Sequence, residues 1–365
     1  HRDEMEGMVD TTLKSKNSQK VSNIVKVLRE QILTGMLKPG TRIMSARELR
    51  HFQVSQVTAN KALLQLVEDK LIVRNERSGS FVKKNWQAKN HTIGFADNLD
   101  VFGPEIQASC GLYRDTCIRM LYENNCSVRF LRKDEIPDAV LERDFDGILG
   151  YYAGWDDELM ARMKKTGIPV VLGRFDFVLN TPFHQVLPDI YGAVYEVFHR
   201  IDRKQFDGLI IIYEDHDNCL YRRDIALKLA HCIGFEEENI ELFKASHLEV
   251  EMNYPLWQDV SRRCRLGRKF IYTCGDNMAS GLIRVFRESG VELGKEIQLA
   301  SCGNLEDCGY RPFEEPTITG AGTIYEEYAM AAVRLLMRVL ELPEENKFSQ
   351  ITRVPAVYKK RKTAF

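Results

Sequence analysis

From residue 92 to the end of the 365-residue chain, short apolar runs alternate with segments of helical period. No other pattern in the sequence narrows the fold so far. "HTIGFAD", "CSVRFLR", "FDGILGYY" and "IPVVLGRF" are strand-like runs, apolar with little polar alternation. Between them, "GPEIQASCGLYRDTCIRMLYENN" places Ile106, Cys110, Tyr113, Cys117 and Leu121 at spacings of three and four, and "DDELMARMKKTG" is a second helix. Strands that stay apolar along their length are covered on both faces, so the alternation predicts a parallel sheet between two layers of helices. A second set follows in "DIYGAVYEVFHRI", "FDGLIIIYED", "CLYRRDIALKLAHCI", "IELFKAS", "KFIYTCGD", "NMASGLIRVFRESG" and "IQLASCG". The expected fold class is α/β, with residues 92–365 forming two lobes built on doubly wound parallel sheets.

Residues 14–84 are different in kind. They hold 15 lysines and arginines against 5 aspartates and glutamates, a local balance of +10 in a chain whose overall balance is −1. Such a concentration suits a polyanionic partner. Val21, Ile24, Val25, Leu28 and Ile32 fall on one helical face, and the helix cannot run through Pro39 and Gly40. "SARE" is a capping box in which the Ser45 hydroxyl caps the Glu48 amide and the Glu48 carboxylate reaches back, launching a short helix through Leu49 and Phe52. Ser55 is an N-cap for "QVTANKALLQLVEDK". There Ala62, Leu63, Leu66 and Val67 turn inward, while Gln56, Thr58, Asn60 and Lys61 occupy an exposed N-terminal half. "LIVRNERSGSFVKK" closes the unit as two strands around Ser78 and Gly79.

In "ILTGMLKPG", "MSARELR", "VSQVTANKALLQLVEDKLI" and "SGSFV", in this order, the segment resembles the winged helix-turn-helix of GntR-family transcription regulators. Met44 stands where that pattern usually has Pro, Lys70 where it has Gly, and Gln56 where it commonly has Arg. The resemblance implies that Arg47 grips the DNA from the start of the second helix. It also implies that Ser55, Gln56, Thr58 and Asn60 enter the major groove, flanked by Lys61, and that Gly79 lets the wing approach the minor groove. Gln in place of Arg favours an adenine edge over a guanine edge. The polar stretch "KKNWQAKN" marks the join, and the domains expected are a DNA-binding head at 14–84, a linker at 85–91 and an effector domain at 92–365.

In open parallel sheets the ligand lies beyond the carboxyl ends of the strands, and the residues there are polar or aromatic. They include Asp97, Asn98 and Phe102, Tyr152 and Trp155, Arg174 and Asp176, Asp215 and Arg223, Asp276 and Asn277, and Asn304. Donors, carboxylates and flat rings together suit a small polyol. "FDGIL", "GIPVVLGRFD", "YTCGDNMASGLIRVFRESGVELGKEIQLASCGN" and "ITRVPAVYKK" resemble the type I periplasmic-binding-protein fold of LacI/GalR-type sugar-responsive repressors. That resemblance implies a sugar-binding Arg at Arg223, an acidic ligand at Asp276 and a polar cleft position near Arg174; among the residues after the strands, Phe102 or Trp155 is expected to complete the cleft with an aromatic ring. "SCGN" replaces that family's usual "GFDD", which leaves Asn304 near a position where an acidic ligand is expected.

The function expected is a cytoplasmic, homodimeric repressor of carbohydrate-utilisation genes. Its partners would be a double-stranded DNA operator with an inverted repeat and a monosaccharide such as arabinose or fucose, or a phosphorylated sugar. The nine cysteines are scattered, with no CxxC pair, and read as reduced core thiols rather than disulfides or a metal site. No run approaches the apolar length of a membrane span, and no phosphate-cradling Gly loop is found, so no membrane partner, metal, cofactor or enzymatic activity is expected. Three alternatives stand beside this reading: a GntR-type regulator of a non-sugar metabolite, a fusion to a pyridoxal-phosphate module, and a transport receptor. The fusion would need a lysine at an aldimine site and the receptor an export signal.

Overall fold

A computed structural model describes residues 19–32, 36–45, 48–49, 54–75, 79–83, 91–97, 104–132, 145–151, 157–173, 176–246, 253–294, 297–342 and 348–365. Its contacts divide the chain into two units, one ending at Asn90 and the other beginning at His91.

In the first unit, residues 19–32 form helix α1. Strand β1 (Arg42–Ile43) and the hairpin β2 (Ile72–Asn75) and β3 (Gly79–Val82) make a three-stranded antiparallel sheet in the order β1-β3-β2. Helix α2 (Gln56–Glu68) lies between them in sequence. Val25, Leu28 and Ile32 of α1, Ala59, Ala62, Leu63 and Leu66 of α2, and Ile43, Leu49, Ile72 and Val82 fill one small core. The capping box forms as expected: Ser45 N donates to Glu48 Oε2 at 2.6 Å, and Glu48 N donates to Ser45 Oγ at 3.2 Å. Lys70 ends the connection after α2 at φ 58°, a left-handed conformation that strains any residue with a Cβ. That explains in backbone terms why a glycine would suit the position.

The second unit has two lobes. In the first, β4 (Thr92–Asp97), β5 (Ser127–Leu131), β6 (Gly147–Tyr151), β7 (Val170–Gly173), β8 (His184–Pro188) and β14 (Ile351–Val354) form a parallel sheet in the order β14-β8-β7-β6-β4-β5. One face packs on α3 (Pro104–Glu123) and the late helix α9 (Tyr325–Glu341), where Phe95, Tyr113, Cys117, Tyr328 and Leu336 meet. The other face packs on α4 (Asp157–Lys164) through Leu159 and Met163 against Ile148, Val170 and Leu172.

The second lobe repeats the plan. Strands β9 (Gly208–Glu214), β10 (Ile240–Ala245), β11 (Lys269–Thr273), β12 (Gln298–Cys302), β13 (Thr319–Thr323) and β15 (Ala356–Lys359) lie in the order β10-β9-β11-β12-β13-β15. All pairs are parallel except β13 with β15. Helices α5 (Ile190–Phe198), α6 (Asp217–Cys232), α7 (Tyr254–Cys264) and α8 (Asp276–Glu288) pack with it around Trp257, Phe270, Tyr272 and Phe286. In each lobe the first strand sits between the second and the third. This strand order places a crevice beyond its carboxyl end. The chain passes between lobes after β8, again after β13, and a third time within "ITRVPAVYKK", where Pro355 separates β14 in one lobe from β15 in the other.

Candidate nucleic-acid interface and effector cleft

The start of α2 is built by local chemistry. Ser55 is its N-cap: its hydroxyl accepts from Thr58 N at 3.1 Å and lies 2.8 Å from Thr58 Oγ1. Thr58 was expected among the groove-facing residues, yet it is only 4% exposed. The cap turns its side chain inward, and Ala59 beside it belongs to the core. Gln56, Val57 and Lys61 are exposed, and Asn60 is half-buried. Asn60 Oδ1 accepts a hydrogen bond from Arg74 Nη2, on the wing strand β2, at 3.0 Å. Gly79 opens β3 at φ 101°, a left-handed conformation, with Arg42 Nε close to where a Cβ would stand. Hydrogen bonds from the Ser45 backbone and side chain, aided by Arg42 at 3.3 Å, outweigh the opposing effect of desolvation and lower the Glu48 pKa to about 2. Arg47 lies outside the described residues.

At the facing ends of the two lobes, the segment after β7 meets the first turns of α6. Arg222 Nε donates to Asp176 Oδ2 at 2.5 Å, and Arg222 Nη1 donates to the Cys274 carbonyl at 2.8 Å. Asp176 N donates to Asn218 Oδ1 at 3.2 Å, and the Phe177 ring meets Tyr221 edge-on at 5.8 Å. Residues 218, 221 and 222 lie at helical spacings of three and four, so a single face of α6 receives the loop from the other lobe. Asp176 is buried, whereas the Arg222 side chain is 21% exposed. Burial works against the charge on Arg222, but the Asp176 carboxylate outweighs it and holds the guanidinium protonated. Nη2 of Arg222 has no partner among the described residues.

Arg223, expected to meet a ligand, makes its bonds within the second lobe. Its Nε and Nη2 both donate to Asp224 Oδ1, at 2.8 and 2.6 Å, and its guanidinium lies 4.9 Å from the centre of the Tyr213 ring. The neighbouring Arg222 is the arginine that bonds to the other lobe.

Asp276 and Asn304 are also tied down. Asp276 opens α8 without capping it, and its Oδ2 accepts from Leu305 N at 2.7 Å. Its Oδ1 is buried and meets no donor at full hydrogen-bond geometry, and burial pushes the carboxyl above the usual range despite the nearby Ser301 hydroxyl, that backbone bond and the positive fields of Arg361 and Arg222. Gly303 is required beside it, since a Cβ there would fall 2.6 Å from Oδ1. The SCGN run therefore makes room for Asp276. Asn304 Nδ2 donates to Gly322 O at 3.1 Å and Val357 O at 2.9 Å, fastening β13 to β15, while its Oδ1 is buried without a partner. Phe102, Trp155 and Arg174 lie outside the described residues.

Glu214, His216 and Cys219 bring mixed donor atoms within 4.8 Å of one another at the start of α6. His216 Nδ1 accepts from Cys219 N at 3.4 Å, which leaves the ring proton on Nε2, 3.3 Å from Glu214 Oε2. Glu214 Oε1 accepts from Asn277 at 2.7 Å, and burial raises the Cys219 thiol to about 12. These groups serve as a helix cap and its support. All nine cysteines are free thiols, and among the described residues no helix is long and apolar enough to cross a membrane.

The chain thus joins a winged head to a two-lobed α/β unit in which charged groups meet between the lobes. Residues 20–82 match the family described as bacterial regulatory proteins, gntR family. The chain is 21% identical over 354 residues to the arabinose metabolism transcriptional repressor of Halalkalibacterium halodurans, covering 89% of this chain and 90% of that one. Over 58 residues it is 43% identical to the mannosyl-D-glycerate transport/metabolism system repressor MngR of Escherichia coli, covering 16% of this chain and 24% of that one. In structure it is similar to a LacI family transcriptional regulator from Enterococcus faecium with bound ribose. The TM-score is 0.59 with 17% identity, covering 75% of this chain and 98% of that one. The head is of the gntR type, and the second unit has the fold used by LacI-type regulators.

Proposed function

We propose that this protein is a transcriptional repressor of carbohydrate-utilisation genes whose hold on an operator is set by a small sugar bound between its two lobes. The observation that carries the reading is the Arg222 bridge. One helix face of the second lobe holds a loop of the first through a charge pair, so a ligand at that junction changes how the lobes meet. In the same chain stands a basic head with a gntR-type helix. A sugar suits the site because each hydroxyl needs a donor and an acceptor. Arg222 Nη2 supplies N–H donors, and the Asp276 carboxyl, which lies within the field of Arg222, and Asn304 are assigned as its polar partners from the second lobe. Phe102, Trp155 and Arg174 belong to the same proposal as ring and cation, and Arg47, Gln56 and Lys61 to the DNA face. Two heads on a homodimer would meet an inverted repeat.

Control then follows from linkage: a sugar that binds one arrangement of the lobes better shifts the population towards it, and DNA affinity changes by the same coupling. The test uses the full chain. Operator sequences are selected from a random duplex pool, and their affinity is measured by fluorescence anisotropy with and without a panel of pentoses, hexoses and their phosphates. A change of fivefold or more with one sugar is expected, a typical coupling of about 1 kcal/mol or more. A protein that binds sugar and DNA with no effect of either on the other contradicts the proposal.

A further inference from the structure

Helix α2 buries Ala59, Ala62, Leu63 and Leu66, and on its other side it exposes two aliphatic residues. Val57, in the first turn, is 66% exposed, and Leu64, two turns on, is 50% exposed. Asn60 lies one turn beyond Val57 on the same face. Because Arg74 Nη2 donates to Asn60 Oδ1 at 3.0 Å, the carbonyl end of that amide is engaged by the wing and the NH2 end is the one left to an outside partner. The face thus offers an aliphatic surface and, about 5 Å along the helix, a hydrogen-bond donor.

We infer that Val57 and Asn60 together read a thymine in the major groove, the Val57 methyls against the thymine 5-methyl and Asn60 Nδ2 donating to O4. This rests on the reading of α2 as the helix that enters DNA, which the +10 balance of residues 14–84 supports. Thymine is the base that shows a methyl group beside an acceptor at the major-groove edge. Adenine needs an amide that accepts from N6 while donating to N7, and the acceptor half of Asn60 is held by Arg74. Guanine offers acceptors with no methyl for Val57 to cover. The exposed valine, which would otherwise leave apolar surface in water, has a use in this assignment.

The test is base substitution in the bound operator. With sites selected from a random pool by the full-length protein, each thymine is replaced in turn by deoxyuridine, which pairs identically and lacks only the methyl. One position in each half-site is expected to weaken binding by about three- to tenfold, the effect of losing one buried methyl contact. Val57→Ala should abolish the sensitivity at that position and leave the other positions as they were. Arg74→Ala frees Asn60 Oδ1, so selection with that variant should admit adenine where the wild type took thymine. A tightly bound operator in which every deoxyuridine is silent overturns the thymine assignment alone, as does a Val57→Ala protein with unchanged sensitivity. A protein that selects no sequence from the pool overturns both this inference and the reading of α2 on which it rests.

Discussion

Asp176→Asn tests the bridge between the lobes. The substitution keeps the shape of the side chain and the backbone bond from residue 176 to Asn218, and it removes the charge that faces Arg222. Breaking a buried pair by removing one partner costs about 3–5 kcal/mol, because the remaining charge is left uncompensated. Arg222 keeps its bond to the Cys274 carbonyl and some contact with water, which places the expected cost near the lower figure, about 2–3 kcal/mol. For a unit of this size that corresponds to roughly 4–8 °C in Tm. The assay is thermal unfolding of the full chain in a double-mutant cycle with Arg222→Met, whose aliphatic side chain can occupy the same space. Asp176→Asn and Arg222→Met should each destabilise, and the double variant should fall short of their sum by about 1–3 kcal/mol. Small-angle scattering should show the single variants no more compact than the wild type. Strict additivity would refute the argument, because it would mean that the two side chains do not act on one another.

Three further outcomes follow from single residues. Lys70→Gly relieves a left-handed backbone and should stabilise the head by about 1 kcal/mol, seen as DNA binding that survives to a higher temperature. The carboxyl of Asp276 is raised by burial, so between its unfolded value and its folded value the native state holds a proton that the unfolded state has released, and stability falls as pH rises through that window. Asp276→Asn should flatten this fall in a Tm profile from pH 4 to 7, while a variant much less stable at pH 7 would show that the charge is needed. Glu48 is lowered to about 2, so its contribution is complete above the ordinary carboxyl range and is lost as pH falls towards 2. Glu48→Gln should remove that part of the head's acid sensitivity, followed by DNA binding after acid exposure.

What the sequence made legible was mostly local. The Ser45–Glu48 box and the Ser55 cap depend on residues three apart, and they form as their spacing predicts. The alternation of strands and helices gave both parallel sheets because buried strands of Val, Ile and Leu are distinctive. "HQVLP" and "TGAGT" escaped notice as strands. The first opens with polar residues, and the second has glycines where backbones crowd: a Cβ at Gly320 would lie 2.6 Å from Ser301 O. The sharing of "ITRVPAVYKK" between two sheets is a long-range matter that no local pattern carries.

Of the two adjacent arginines of α6, the sequence pointed to Arg223, whereas Arg222 is the one that bonds across the lobes. Neighbours on a helix point about 100° apart, and only the packing of α6 fixes its rotation. Thr58 was misassigned for a related reason. A threonine three residues after a cap can turn to that cap as readily as to solvent, and here its burial settles the choice. Asp276 and Asn304 were expected to face a ligand from the second lobe. Each spends one end of its side chain on the backbone and leaves a buried oxygen that meets no donor at full hydrogen-bond geometry.

In the proposed function, a ligand in the cleft acts on DNA binding through the Arg222 junction. This coupling is tested most directly by operator titrations of wild type and Arg222→Met, each with and without the sugar that shifts the wild type. The expected result is that adding the sugar leaves the operator affinity of Arg222→Met unchanged, whatever its value without sugar. An Arg222→Met protein that still responds to the sugar as the wild type does would contradict it.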